Sequence, residues 1–306
     1  MNFLYCFDQN YMQHAMISIL SISKLIKNEK ITIYIIHSNL DPRSIAILKR
    51  FLKFIDAESF IIKVQNDFIF TKKNNFISHL NASMFLRLYA PYVLKCEKVL
   101  YLDCDTIVKD IKRLKKLYYK SFFYKNNLCA LMASADPESS IAIKSFNKNI
   151  MNTPIYFNSG VLMMNLKLMR NVSLQDILDF YNKNENNLPF PDQDIINYFF
   201  NAQIKPLLPI YNALNNGFNY AYSNNKFSKK TQTILRNNIV IKHFFGKLKP
   251  WKIVTFHNKE YFFSYLFLCK KKILKLQYCY VALGFITMGT YPLLKILIKC
   301  LKKVLR

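Results

Sequence analysis

The sequence predicts an α/β protein built on a mostly parallel sheet, and three observations carry that expectation. Apolar runs of strand length alternate with stretches whose apolar residues recur at helical spacing. Several of those helical stretches open on a capping residue, so the alternation is punctuated where a helix should begin. The apolar run Val99-Leu100-Tyr101-Leu102 stops on two carboxylates, Asp103 and Asp105. That is how a buried strand looks where it leaves a sheet. Strand-helix alternation places helices on both faces of a sheet whose crossovers are right-handed.

Taken in order, Met1 to Asp8 reads as a first strand, and no basic segment followed by an apolar stretch and a cleavage site directs export. Ala15, Ile19, Ile22 and Ile26 then mark a helix, and Ile31 to Ile36 a continuous apolar strand. Asp41-Pro42 supplies an N-cap and a proline at the first helical position, followed by Ile45, Leu48, Leu52 and Ile55 on one face. Phe60 to Val64 is a third strand, and Ala82 to Leu94 a helix carrying Arg87 toward the central strand. Lys109 to Lys125 is rich in lysine and tyrosine, Leu128 to Ser134 returns as a strand, and residues 138–155 read as a surface loop or short helix. Gly160 to Asn165 is another buried strand. Ser173 and Asp176 form a capping box before Leu174, Ile177, Leu178 and Tyr181. Pro191-Asp192-Gln193-Asp194 opens a further helix, and Ile239-Val240-Ile241 leads to His243.

Composition sets the frame. A chain of 306 residues with 52% hydrophobic residues and five glycines has ample core material and no long flexible linker. The expected division is one large domain, residues 1–260, and a tail, residues 261–306. The net charge is +26, and the tail contributes nine Lys or Arg and no acid. Such a balance suits nucleic acid, anionic lipid or a phosphorylated substrate. Seven cysteines, with no Cys-x-x-Cys spacing, argue against a disulfide framework or zinc ribbon and fit a reducing compartment.

The chemistry begins at the Asp pair. Carboxylates at i and i+2 project the same way and can reach one cation at the carboxyl end of a strand, although Asp-x-Asp also serves as a plain turn. Other signals are equally modest alone. A histidine after a strand is usually structural, and Asp192-Gln193-Asp194 reads adequately as a helix cap.

Order makes them specific. Phe7-Asp8-Gln9-Asn10-Tyr11, Tyr101-Leu102-Asp103-Cys104-Asp105, Tyr156-Phe157-Asn158-Ser159-Gly160-Val161, Asp192-Gln193-Asp194-Ile195-Ile196-Asn197 and His243-x-x-Gly246-x-x-Lys249-Pro250-Trp251 resemble the motifs of the family 8 glycosyltransferases. The likeness is greatest to their bacterial lipopolysaccharide galactosyl- and glucosyltransferases and covers about residues 1–255. It implies a GT-A fold, a UDP-hexose donor, a divalent metal (manganese, or magnesium) and transfer with retention of anomeric configuration. By the same resemblance Asp103, Asp105 and His243 would hold the metal, a mixed oxygen and nitrogen set suited to manganese. Asp8, Asn10 and Tyr11 would hold the nucleoside beside the backbone at Cys6, where relatives often carry a small residue. Arg87, Asp136, Asn158, Asp192 and Gln193 would surround the donor sugar, and Gly246 and Lys249 would bind the diphosphate. Gln193 and Asp194 stand as candidates near the anomeric carbon, and the sequence leaves open whether a carboxylate attacks or the acceptor enters from the leaving-group face.

The tail has its own reading. Leu276 to Leu294 carries no charge and is flanked by lysines, which suits an interfacial anchor on an anionic cytoplasmic leaflet. A packed helix pair and a membrane span are the alternatives. Since every candidate donor and metal residue precedes residue 252, residues 262–306 are expected to be dispensable for donor chemistry. The expected partners are therefore a UDP-hexose, an oligosaccharide or lipid-linked glycan acceptor and the inner-membrane surface, for a peripheral cytoplasmic protein. Two other classes compete: a nucleic-acid or anionic-surface binding module, disfavoured because its basic residues are dispersed and no nucleic-acid motif is present, and a silent scaffold, disfavoured by the intact Asp-Asp-His set.

Overall fold

The computed structural model describes residues 1–26, 29–64, 82–120, 129–135, 150–151, 155–214, 229–246, 249–252 and 258–276. The chain runs β1 (Asn2–Cys6), α1 (Met12–Ser23), β2 (Thr32–His37), α2 (Pro42–Phe54) and β3 (Glu58–Lys63). A 3-10 helix (Ala82–Tyr89) leads into α3 (Ala90–Val93), β4 (Lys98–Leu102), β5 (Thr106–Val108), α4 (Ile111–Lys120) and β6 (Leu131–Ala135). Then come β7 (Phe157–Asn165), α5 (Leu166–Met169), α6 (Leu174–Asn184), α7 (Pro191–Phe200) and β8 (Ile204–Pro206). The described chain closes with β9 (Ala213–Leu214), α8 (Lys229–Asn237), β10 (Ile241–His243) and α9 (Lys259–Lys270).

The main sheet has the order β3-β2-β1-β4-β7-β6-β8, with β7 antiparallel to both neighbours and the other pairings parallel. This is the expected α/β class. Period-two alternation sorts the central strands onto two cores. Phe3, Tyr5, Leu100 and Leu102 face the core shared with α1, α2 and α9. Leu4, Cys6, Val99 and Tyr101 face the core shared with the 3-10 helix, α6 and α7. Fully burying each such side chain contributes about 1.5–3 kcal/mol, which fixes the strand ends that carry the polar residues.

Local chemistry explains the helices. The Asp41 carboxylate accepts the Ser44 N–H at 2.7 Å to cap α2 behind Pro42. Ser173 and Asp176 close the capping box of α6. The helix expected from Ala82 to Leu94 is instead a 3-10 helix followed by α3. Pro91 accounts for the break, because it has no N–H to donate to the carbonyl four residues back, so an α-helix restarts at Ala90 with the proline in its first turn.

A second sheet, β5-β10-β9, makes the site. β5 begins immediately after Asp105 and pairs antiparallel with β10, placing His243 opposite Thr106. The Phe244 N–H then donates to the Asp105 carbonyl at 2.8 Å. Two segments far apart in sequence are thereby locked side by side.

The tail differs from expectation at its start. Phe262, Tyr265 and Leu268 of α9 are buried in the first core against α1, so residues 261–276 are part of the folded domain. Residues 277–306 lie outside the described residues, as does Asp136. No helix among the described residues is long and apolar enough to cross a membrane.

Candidate active site

The site forms where β4 ends. The Asp103 N–H donates to the Gly160 carbonyl at 2.8 Å, anchoring the turn to the antiparallel β7. His243 Nε2 lies 3.2 Å from Asp105 Oδ1 and 3.6 Å from Asp103 Oδ2. Ligand atoms of Asp103, Asp105 and His243 all fall within 4.8 Å of one another, and this is the metal-competent cluster among the described residues. Two hard carboxylates and one imidazole fit a divalent cation such as manganese, so the residues present suit the group that the sequence implies.

Two cations flank the pair. The Lys249 ammonium donates to Asp105 Oδ2 and, at 3.0 Å, to the Phe244 carbonyl. Burial opposes the Lys249 charge, but the Asp105 carboxylate outweighs it and the lysine pKa is raised. Burial likewise raises the Asp105 pKa, yet His243 and Lys249 outweigh it and hold the carboxylate well below its ordinary range. On the other side Arg87 reaches Asp103 Oδ1 at 3.1 Å and Asp192 Oδ2 at 3.4 Å. It also donates to the Ser159 carbonyl at 2.7 Å and lies 4.5 Å over the Tyr101 ring. A cavity of about 170 Å³ opens over these groups, lined by Cys6, Tyr11, Met84, Arg87, Tyr101, Asp103, Asp105 and Lys249 among others.

The remaining expected residues divide. Asp8 Oδ1 accepts the N–H groups of Asn10 and Tyr11 at 3.0 and 3.1 Å, shaping the entry to α1, and Asn10 is exposed. Gly246 has φ +79°, the left-handed backbone that favours glycine in the turn between His243 and Lys249. Asn158 Nδ2 donates to Gln193 Oε1 at 3.2 Å, and Gln193 also accepts the Ser159 N–H at 2.9 Å. Asp192 accepts from Ser159 Oγ at 3.1 Å, and burial pushes its pKa up despite Arg87.

Asp194 stands apart from that group. It has no exposed surface, accepts from the Tyr156 hydroxyl and accepts the Phe190 N–H at 2.8 Å, so its bonds run to the start of α7 and not to Asn158, Ser159 or Arg87. Burial pushes its pKa up to about 7.

The sequence profile of glycosyl transferase family 8 matches residues 2–255. The chain belongs to this family. A Haemophilus influenzae protein named as a glycosyltransferase is 26% identical over 259 residues, covering 82% of this chain and 73% of that one. General stress protein A of Bacillus subtilis is 26% identical over 86% of this chain and 92% of its own length. An Escherichia coli lipopolysaccharide 1,2-glucosyltransferase is 26% identical over 80% of this chain and 71% of its own. The crystal structure of galactosyltransferase LgtC with donor and acceptor sugar analogues superposes with a TM-score of 0.71 at 21% identity, covering 87% of this chain and 95% of that one. The fold is therefore of the GT-A type that the family motifs imply.

Three features of this glycosyltransferase site escaped the sequence. The Tyr101 hydroxyl donates to Asp103 Oδ1 at 2.5 Å, a contact legible from the strand alternation that puts residues two apart on one face. Ser159 braces Arg87 and Asp192, and its signal lay only in its place within a motif. Asn212 Oδ1 sits 2.8 Å from His243 Nδ1, and nothing local marks it because its partner is 31 residues away.

Proposed function

We propose that this family 8 glycosyltransferase is a metal-dependent, retaining hexosyltransferase. Its donor is UDP-galactose or UDP-glucose, and its acceptor a lipopolysaccharide, lipooligosaccharide or related glycan. The observation that carries the reading is the convergence of Asp103, Asp105 and His243 beside Lys249, with Asp103, Asp105, Lys249 and Tyr11 lining one cavity.

Departure of a nucleoside diphosphate builds negative charge on a phosphate oxygen, and a bound Mn2+ or Mg2+ would supply Lewis-acid stabilisation there. The chain's own residues do the rest. Lys249 offers a second positive charge to the diphosphate. Tyr11 offers a ring face for the base, with Asp8 holding the turn that presents it. Arg87 keeps Asp103 and Asp192 apart in charge and position, and the Asn158-Gln193 amides form the polar wall for the sugar. Both oxygens of Asp194 already accept hydrogen bonds and the residue is fully buried, which supports acceptor attack from the diphosphate side over attack by Asp194. The uncharged stretch from Leu276 to Leu294, followed by Lys295, Lys299, Lys302, Lys303 and Arg306 with no acid, supports peripheral association with an anionic cytoplasmic membrane surface.

The test is hydrolysis of UDP-galactose, UDP-glucose and their N-acetyl forms by purified protein, with manganese and with chelator. Metal-stimulated UDP release from one hexose donor is expected. Equal rates with and without metal would refute metal dependence, and no turnover of any UDP-sugar would refute the donor class.

A further inference from the structure

The hydrogen bonds behind His243 form a chain whose polarity is set at one end by a group that can only donate. The Gly160 backbone N–H donates to Asn158 Oδ1 at 2.9 Å. That oxygen is therefore the acceptor of the Asn158 amide. The Asn212 group 2.7 Å from the same oxygen must then be its NH2, which turns Asn212 Oδ1 toward His243. An amide oxygen cannot donate, so His243 Nδ1, 2.8 Å away, must carry the proton. In a neutral imidazole the lone pair is then on Nε2, the nitrogen that faces Asp105 and Asp103 at 3.2 and 3.6 Å.

We infer that Asn212 is a positioning residue that sets the tautomer of His243 and so presents Nε2 as a metal ligand. The inference rests on the metal reading above but concerns a residue outside the five motifs quoted from the sequence. All three side chains in the chain are buried, so water does not compete for the bonds. The backbone also favours the arrangement. Asn212 immediately precedes β9, which pairs parallel with β10 so that Leu214 lies beside His243, and the 3-10 turn before it is tied to β10 by the Val240 N–H on the Ile210 carbonyl at 2.9 Å. Gly160 closes the circuit physically. A Cβ there would lie 2.2 Å from His243 Cε1, so the ring is wedged against the same residue whose N–H starts the chain.

Orienting partners of this kind tune metal sites strongly, and their loss weakens metal binding by roughly 10–100-fold. Two variants separate an acceptor role from a merely structural one. Asn212→Leu keeps the bulk and removes the acceptor; Asn212→Asp keeps an acceptor toward Nδ1. The readouts are Mn2+ affinity by calorimetry and, without metal, the 15N chemical shifts of the His243 ring in full-length protein.

The wild type is expected to show the Nδ1-protonated tautomer. Asn212→Leu should lose that preference and bind Mn2+ at least about tenfold more weakly, whereas Asn212→Asp, which gives up the NH2 bond to Asn158 but keeps an acceptor, should retain the Nδ1-protonated tautomer. A folded Asn212→Leu protein with wild-type affinity would overturn the inference. So would an Nε2-protonated His243 in the wild type, or an Asn212→Asp variant in which His243 loses the Nδ1-protonated tautomer. If the wild type binds no Mn2+, the metal reading of the site fails, whereas the ring shifts still decide the tautomer by themselves.

Discussion

Gly160→Ala is the sharpest single perturbation of the metal cluster. The added Cβ would lie 2.2 Å from His243 Cε1, 2.8 Å from Asp103 Oδ2 and 2.9 Å from His243 Nδ1. Carbon atoms in favourable contact sit about 3.5–4.0 Å apart, so the imidazole must retreat by more than about 1 Å. It has no easy direction, because Nδ1 is held by Asn212 and the backbone by pairing to Thr106 and Leu214. Overpacking of a close-packed site costs about 1–3 kcal/mol, which lowers the melting temperature without abolishing folding. The functional loss is expected to be greater, since a misplacement of about 1 Å can cost a hundredfold in rate. Manganese affinity by calorimetry and UDP release from the hexose donor, each normalised to folded protein, make the assay. Gly246→Ala is a control for stability alone, read from the melting temperature: its Cβ meets nothing within 4 Å, so only the strain of φ +79° is added, about 1–2 kcal/mol. Metal affinity and turnover in folded Gly160→Ala within twofold of wild type would refute the steric argument.

Other outcomes follow from the same geometry. Lys249→Met should bind Mn2+ more tightly yet bind UDP more weakly, because the ammonium that competes for Asp105 also serves the diphosphate; weaker metal binding would show that the lysine supports the ligand set. Asp194 titrates near 7 when folded against 3.8 unfolded, so the folded state holds its proton more tightly between those values and stability falls as pH rises through them. Relative to Asp194→Asn, wild type should therefore lose roughly 2–3 kcal/mol between about pH 5 and pH 8, read from denaturant melts, and a constant difference would show that the carboxyl is not shifted. Truncation after residue 276 should leave donor hydrolysis intact and weaken binding to anionic vesicles. Truncation after residue 261 removes the buried Phe262, Tyr265 and Leu268, at about 2–5 kcal/mol each, and should yield insoluble protein; an active, soluble product would place α9 outside the fold.

Much of this was legible in the sequence where a signal is local. The alternation of Phe3, Leu4, Tyr5 and Cys6, the Asp41-Pro42 cap and the strand ending at Asp103 each specify their own conformation, and the structure follows them. The family motifs reach further, because they bring His243 and Lys249 to the Asp pair across the β5-β10 pairing that no local pattern encodes. What the residues did not reveal is long-range and polar. Asn212 acquires its role only when β9 is laid beside β10, and the core position of Phe262 and Leu268 was masked by a lysine-rich context. Asp194 reads in sequence as a reactive carboxylate, but the fold turns it inward toward Tyr156 and the α7 start.

The central claim is that Asp103, Asp105 and His243 hold a cation that drives departure of the nucleoside diphosphate. Its most direct test is the manganese dependence of UDP release by wild type and by Asp105→Asn, with metal affinity measured on both. A metal-stimulated wild type, with turnover lost by roughly a hundredfold or more and manganese affinity weakened in the variant, is the expected result. Undiminished UDP release from Asp105→Asn, or wild-type turnover indifferent to chelation, would contradict it.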